Sequence, residues 1–243
     1  MREVTSIFID DGDVMNDNTF RTPEWRRLVG EYFAPRLGGS ADAWREANRV
    51  VFEQWMLPLL EEGPQGKDWI SWYNARQIQW LREMASRVGV AEPINDVECL
   101  ELVWQASDYI TQRVKSAFPG VIEAIKLLHT NGFKLFTSSG EHSRQLDGHL
   151  KCMGVRDCFK VLYGSDIINY GKYSEEFYMR VFEHSHVNPR EVLVVDDKPE
   201  YLAWAASLGA KTCLVRTLPN DQKTADFVIT KLVDLPAALD NLK

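Results

Sequence analysis

The chain is poor in cysteine, in positive charge and in long apolar runs. Its 4 cysteines, at positions 99, 152, 158 and 213, form no CxxC pair, which removes zinc-ribbon and thioredoxin-like chemistry. Sparse thiols of this kind fit a reducing cytoplasm. No stretch approaches the roughly 18 apolar residues of a membrane span. The opening MREVTSIFIDDGDVMND turns acidic too early for the apolar region of a secretion signal, so a cytoplasmic protein is expected. Lys and Arg number 28 against 35 Asp and Glu, a net charge of −7. That balance argues against general binding to nucleic acid or a membrane surface, since both need a basic face. It remains compatible with one small anionic substrate held by a few local cations. There is no internal repeat and no low-complexity segment, and composition says nothing about oligomeric state.

What is present is an ordinary globular composition. Hydrophobic residues make up 45% and charged residues 26% of 243 positions, enough for a large core without disulfides. Residues 4–10 (VTSIFID) form a short apolar run ending abruptly in acid, as a buried strand would. Residues 17–117 then carry helical patterns only. Pro23 after Thr22 suits the first position of a helix, and a second helix is expected after Ser40, ended or kinked by Pro58. GPQGK at 63–67 is expected to be a loop, a third helix to follow it, and Asn95 or Asp96 to cap a fourth running to about Ser116. From Phe118 the pattern alternates. PGVIEAIKLLHTNG is helical, and FKLFT, KVLYG, EVLVVD and KTCLV are short apolar runs separated by further helices, with a short edge strand at FVIT. Strands alternating with helices imply a doubly wound α/β parallel sheet. The expected division is a core of residues 1–16 and 118–243 with an all-helical domain, 17–117, inserted. The insertion holds 7 of the 8 tryptophans, most simply as its own packing.

Ligands of such sheets bind beyond the carboxyl ends of the strands, near the point where strand order reverses. The first strand ends in Asp10-Asp11-Gly12-Asp13, the second in Thr137-Ser138-Ser139-Gly140, and the fourth in Asp196-Asp197; Lys172 follows the third. Clustered carboxylates repel unless a cation lies between them. Oxygen-only donors suit Mg²⁺. A carboxylate can attack phosphorus once a metal and a lysine neutralise the phosphoryl oxygens. His142 and His149, seven apart on one helix face, are expected at the surface or in packing, and nothing in the sequence assigns Glu141 a role.

These motifs resemble those of the haloacid dehalogenase superfamily of hydrolases, the variety with a helical cap inserted after the first strand. SIFIDDGDVMND is similar to the family's first motif, with Asp10 at the nucleophile. Thr137 falls on the second motif's hydroxyl and Lys172 on the third motif's lysine, although Tyr173 replaces the usual proline. VVDDKPEYLAWAASLGA resembles the fourth motif. The resemblance implies a Rossmann-like core and Mg²⁺ held by Asp10, the Gly12 carbonyl and Asp197, with Asp196 behind. It implies that Thr137, Ser138 and Lys172 bind the phosphoryl oxygens, and that a small phosphorylated metabolite is hydrolysed through an aspartyl-phosphate. Cap closure would exclude water, and cap side chains would choose the substrate.

One departure is visible. The family's phosphatases place an acid/base Asp two residues after the nucleophile, where this chain has Gly12. Asp11 or Asp13 would have to replace it, or Asp11 would itself be the nucleophile with Asp13 as acid/base. Two other readings follow from the gap. One is a C–P hydrolase like phosphonoacetaldehyde hydrolase, with Lys67 as its Schiff-base lysine; Lys115 is a weaker choice. The other is a binding or regulatory protein on an impaired scaffold. Relatives that dehalogenate also lack this Asp, but they need no metal, and the Asp196-Asp197 pair speaks against them.

Overall fold

The computed structural model describes residues 4–64, 68–91, 95–215 and 225–240. The chain opens with β1 (Ser6–Ile9), then runs through five helices: α1 (Asn18–Leu37), α2 (Ala41–Val51), α3 (Leu57–Glu62), α4 (Trp69–Val88) and α5 (Asp96–Thr111). Alternation follows in α6 (Val121–Thr130), β2 (Lys134–Ser138), α7 (Ser143–Met153), β3 (Phe159–Tyr163), α8 (Glu175–Ser185), β4 (Val192–Asp196), α9 (Pro199–Ser207), β5 (Lys211–Val215), β6 (Phe227–Ile229) and α10 (Leu235–Asp240). Two compact units result, Met1–Asn18 with Ser116–Lys243, and Thr19–Lys115.

In the first unit six strands form one sheet in the order β3-β2-β1-β4-β5-β6, and every described pairing is parallel. The chain starts centrally at β1, moves outward through β2 and β3, and crosses back to β4, so strand order reverses between β1 and β4. Period-two alternation sends side chains to two separate cores. Ile7, Ile9, Leu135, Leu193 and Val195 pack under α6, α7 and α10. Phe8, Phe136, Val192 and Val194 pack under α8 and α9, with the Phe8 and Phe136 rings stacked 4.6 Å apart. Apolar residues on both faces explain why the strands read as continuous apolar runs.

The second unit is helical throughout its described elements. Trp44 is fully buried, stacks on Phe33 at 5.0 Å and donates its indole N–H to the Gly38 carbonyl at 2.8 Å. Trp69 stacks on Tyr73 at 4.6 Å in a smaller cluster with Trp72. Gly30 lets α1 approach the start of α2, since a Cβ there would lie 2.3 Å from the Ala41 carbonyl oxygen. Ser40 and Asn95 cap α2 and α5 as their sequence positions suggested.

Three boundaries differ from expectation. Helix α1 begins at Asn18 and encloses Pro23. The Asp13 carboxylate accepts from the Asn18 backbone N–H at 3.2 Å and side-chain amide at 2.9 Å, which anchors the first turn before the proline is reached. The second helical stretch is interrupted ahead of Pro58 by a π-helical segment, Phe52–Met56, a common answer to a proline that cannot donate to the preceding turn. Helix α5 stops at Thr111 rather than near Ser116, because Ala117 is drawn into an extended bridge with Asn16.

Candidate active site

The register of the sheet decides which strand-end residues meet. Ile9 is level with both Thr137 and Val195, so Asp10, Ser138 and Asp196 lie one step further along, on the face shared with Phe8, Phe136 and Val194. Lys172, from the segment between β3 and α8, reaches this level from the same side. Its Nζ donates to Asp10 Oδ1 at 3.0 Å, Asp196 Oδ2 at 2.5 Å and the Ser138 carbonyl at 2.7 Å. The Tyr201 ring stands 4.7 Å from the same ammonium, and the Tyr178 hydroxyl lies 3.4 Å from Asp196 Oδ2. Asp197 completes the group: Asp10, Asp196 and Asp197 each offer an oxygen within 4.8 Å of the others.

The electrostatics follow from burial and charge count. Burial pushes the Asp10 carboxyl up to about 8; Lys172 opposes the rise and Asp196 adds to it. Lys172 is held well above the ordinary lysine range, because Asp10 and Asp196 outweigh the burial that disfavours its charge. Burial also raises Asp197, against its ion pair with Lys198 at 2.7 Å. Asp10 and Asp196 thus share one buried lysine while Asp197 pairs with Lys198, an excess of acid that a hard divalent cation would relieve through an all-oxygen donor set.

Thr137 and Ser138 occupy different environments. Thr137 falls on the opposite face and donates its hydroxyl to the Tyr163 carbonyl at 3.3 Å. Ser138 sits at the level of Asp10, and its buried hydroxyl has no hydrogen-bond partner among the described residues. The two alternatives for the missing acid also separate. Asp11, 1% exposed, accepts from the Asn16 amide at 2.7 Å and points away from Asp10, as alternation requires. Asp13 is held in the left-handed region at φ 59°, caps α1 and lies near enough to Asp197 to raise it. Lys67 lies outside the described residues. Tyr178 and Tyr201 were not singled out in the sequence; the only signal was their place on helices next to the motif residues. His142 caps α7 by accepting from the Arg144 N–H at 3.2 Å, and His149 is buried within that helix.

Residues 25–209 match the family model of haloacid dehalogenase-like hydrolases. The chain belongs to that family. Among curated relatives it is 26% identical over 127 residues to the bifunctional riboflavin kinase/FMN phosphatase of Arabidopsis thaliana, covering 51% of this chain and 33% of that protein. It is 28% identical over 149 residues to the mitochondrial (DL)-glycerol-3-phosphatase 1 of the same plant, covering 53% and 49%. The chain therefore spans half or less of the length of these relatives. The solved structure of the defluorinating L-2-haloacid dehalogenase Rha0230 superposes with a TM-score of 0.66 at 18% identity, covering 98% of this chain and 96% of that one. At that identity the likeness is one of fold.

Proposed function

We propose that this hydrolase is a Mg²⁺-dependent phosphatase of small phosphorylated metabolites, with Asp10 as its nucleophile. The observation that carries the reading is Lys172, which bridges Asp10 and Asp196 beside Asp197 at the point where strand order reverses. The phosphatase names of the curated relatives support it, as does the metal-capable acid group, which a metal-free dehalogenase would not need. Asp10, Asp197 and the Gly12 carbonyl would hold Mg²⁺, with Asp196 supporting from behind; the ion supplies charge neutralisation of the phosphoryl oxygens.

The chain's own residues perform the remaining steps. An Asp10 carboxylate oxygen forms a bond to phosphorus as the bond to the leaving alkoxide breaks. Lys172 and the Ser138 hydroxyl donate to the phosphoryl oxygens, a stronger assignment than Thr137, whose hydroxyl is committed to Tyr163. Asp13 gives a proton to the leaving oxygen, then accepts one from the water that attacks phosphorus and frees Asp10. General acid–base help of this kind is worth about 10²–10⁴-fold. The helical unit Thr19–Lys115 is proposed to be the family's cap and to carry substrate choice.

Phosphate release from a panel of small phosphate monoesters with Mg²⁺ tests the reading. Asp10→Asn abolishes turnover, Asp13→Asn lowers kcat by a hundredfold or more, and Asp11→Asn leaves the chemical step in place. No turnover by the wild type on any monoester, with ligand binding retained, favours the binding-protein reading that Gly12 suggests.

A further inference from the structure

Asp11, Glu141 and His149 come from three separate elements: the end of β1, the loop after β2, and α7. Each offers one donor atom within 4.8 Å of the others. His149 is 1% exposed, and Asp11 is equally buried. His149 Nε2 stands 3.9 Å from Glu141 Oε2, too far for a hydrogen bond. It is close to the spacing of two donors on one ion, since metal–nitrogen and metal–oxygen bonds of roughly 2.0–2.2 Å put donors up to about 4 Å apart. Asp11 is oriented from behind: the Asn16 amide donates to its Oδ1 at 2.7 Å, and the Ser116 hydroxyl donates to Asn16 Oδ1 at 2.8 Å. Outer hydrogen bonds of this kind characterise ligands held for a metal.

The donor chemistry also differs from that of the neighbouring acid group. Asp10, Asp196 and Asp197 offer oxygen only. The second group adds an imidazole nitrogen, which favours transition metals over Mg²⁺. Strand alternation keeps the two groups apart, sending Asp10 to one face of the sheet and Asp11 to the other. We propose that Asp11, Glu141 and His149 form a second cation site, selective for a transition-metal ion such as Zn²⁺. Because Asp11 lies between Asp10 and Gly12, an ion there fixes the backbone that presents both.

Co²⁺, a spectroscopically visible stand-in for Zn²⁺, tests the site in the full chain. Chelator-treated protein is saturated with Mg²⁺, then titrated with Co²⁺ by visible absorption and calorimetry. One equivalent binds in the presence of excess Mg²⁺, with ligand-field bands. Asp197→Asn leaves that binding intact, while His149→Gln and Glu141→Gln each weaken it tenfold or more. Glu141 is partly exposed, so its variant keeps the fold should His149→Gln lose it; circular dichroism checks both. The proposal is overturned if no Co²⁺ binds over saturating Mg²⁺, as expected of an imidazolium that merely pairs with two carboxylates. It is equally overturned if binding survives Glu141→Gln and disappears in Asp197→Asn.

Discussion

Lys172→Met isolates the electrostatics of the site. The substitution keeps the unbranched stem and removes the charge that bonds Asp10, Asp196 and the Ser138 carbonyl. Two buried carboxylates are then left facing each other without a counter-charge. Removing one member of a buried ion pair costs about 3–5 kcal/mol, and this loss is approached above about pH 9, where Asp10 of the wild type is ionised. The penalty depends on pH with a definite sign. The folded protein already raises Asp10 from 3.8 to about 8, so the folded state binds this proton more tightly than the unfolded chain. Stability from the group is therefore gained as pH falls from about 8 toward 4 and lost as it rises. Lys172 opposes that rise, so its removal pushes Asp10 up further and extends the dependence above pH 8, while near pH 5, where Asp10 is protonated in both proteins, the penalty shrinks to roughly 1–2 kcal/mol. Excess Mg²⁺ near pH 8 recovers part of it by supplying positive charge. Seven of the 8 tryptophans lie outside the sheet unit, so intrinsic fluorescence reports mostly on the helical unit. Hydrogen exchange of the β1 and β4 amides, corrected for intrinsic rates, is the suitable assay. A difference below about 1 kcal/mol above pH 9, or an equal one there and at pH 5, refutes the reasoning.

Ser138→Ala lowers kcat/KM for phosphate release by tenfold or more, whereas Thr137→Val, which removes only a hydroxyl bound to Tyr163, acts mainly on thermal stability. Trp44→Ala removes a fully buried ring stacked on Phe33 and destabilises the helical unit by about 3–5 kcal/mol in denaturant unfolding followed by fluorescence. Among the cysteines, Cys152 and Cys158 are partly exposed while Cys99 and Cys213 are buried, and burial pushes the Cys213 thiol up. A thiol reagent under native conditions labels the first two rapidly and all four only after denaturation.

The sheet was legible because its strands are buried on both faces, which leaves uninterrupted runs such as EVLVVD between helical patterns. The acids at strand ends were legible for the same reason, since charge directly after an apolar run marks where a buried strand surfaces. The choice between Thr137 and Ser138 was hidden because it depends on parity, and parity is set by cross-strand register. Parity likewise separates Asp11 from Asp10. Helix boundaries failed where a tertiary contact overrode a local signal: Asp13 anchoring α1 ahead of Pro23, and Ala117 pairing with Asn16 beyond α5. His149 and Glu141 belong to distant stretches whose only link is spatial.

The central claim is that Asp10 carries the phosphoryl group. Rapid quenching during turnover with Mg²⁺, followed by borohydride reduction, converts a phosphorylated aspartate to homoserine, which peptide mass spectrometry locates. Homoserine at position 10 is the expected result; homoserine at position 11, or turnover that persists in Asp10→Asn with position 10 unmodified, contradicts it.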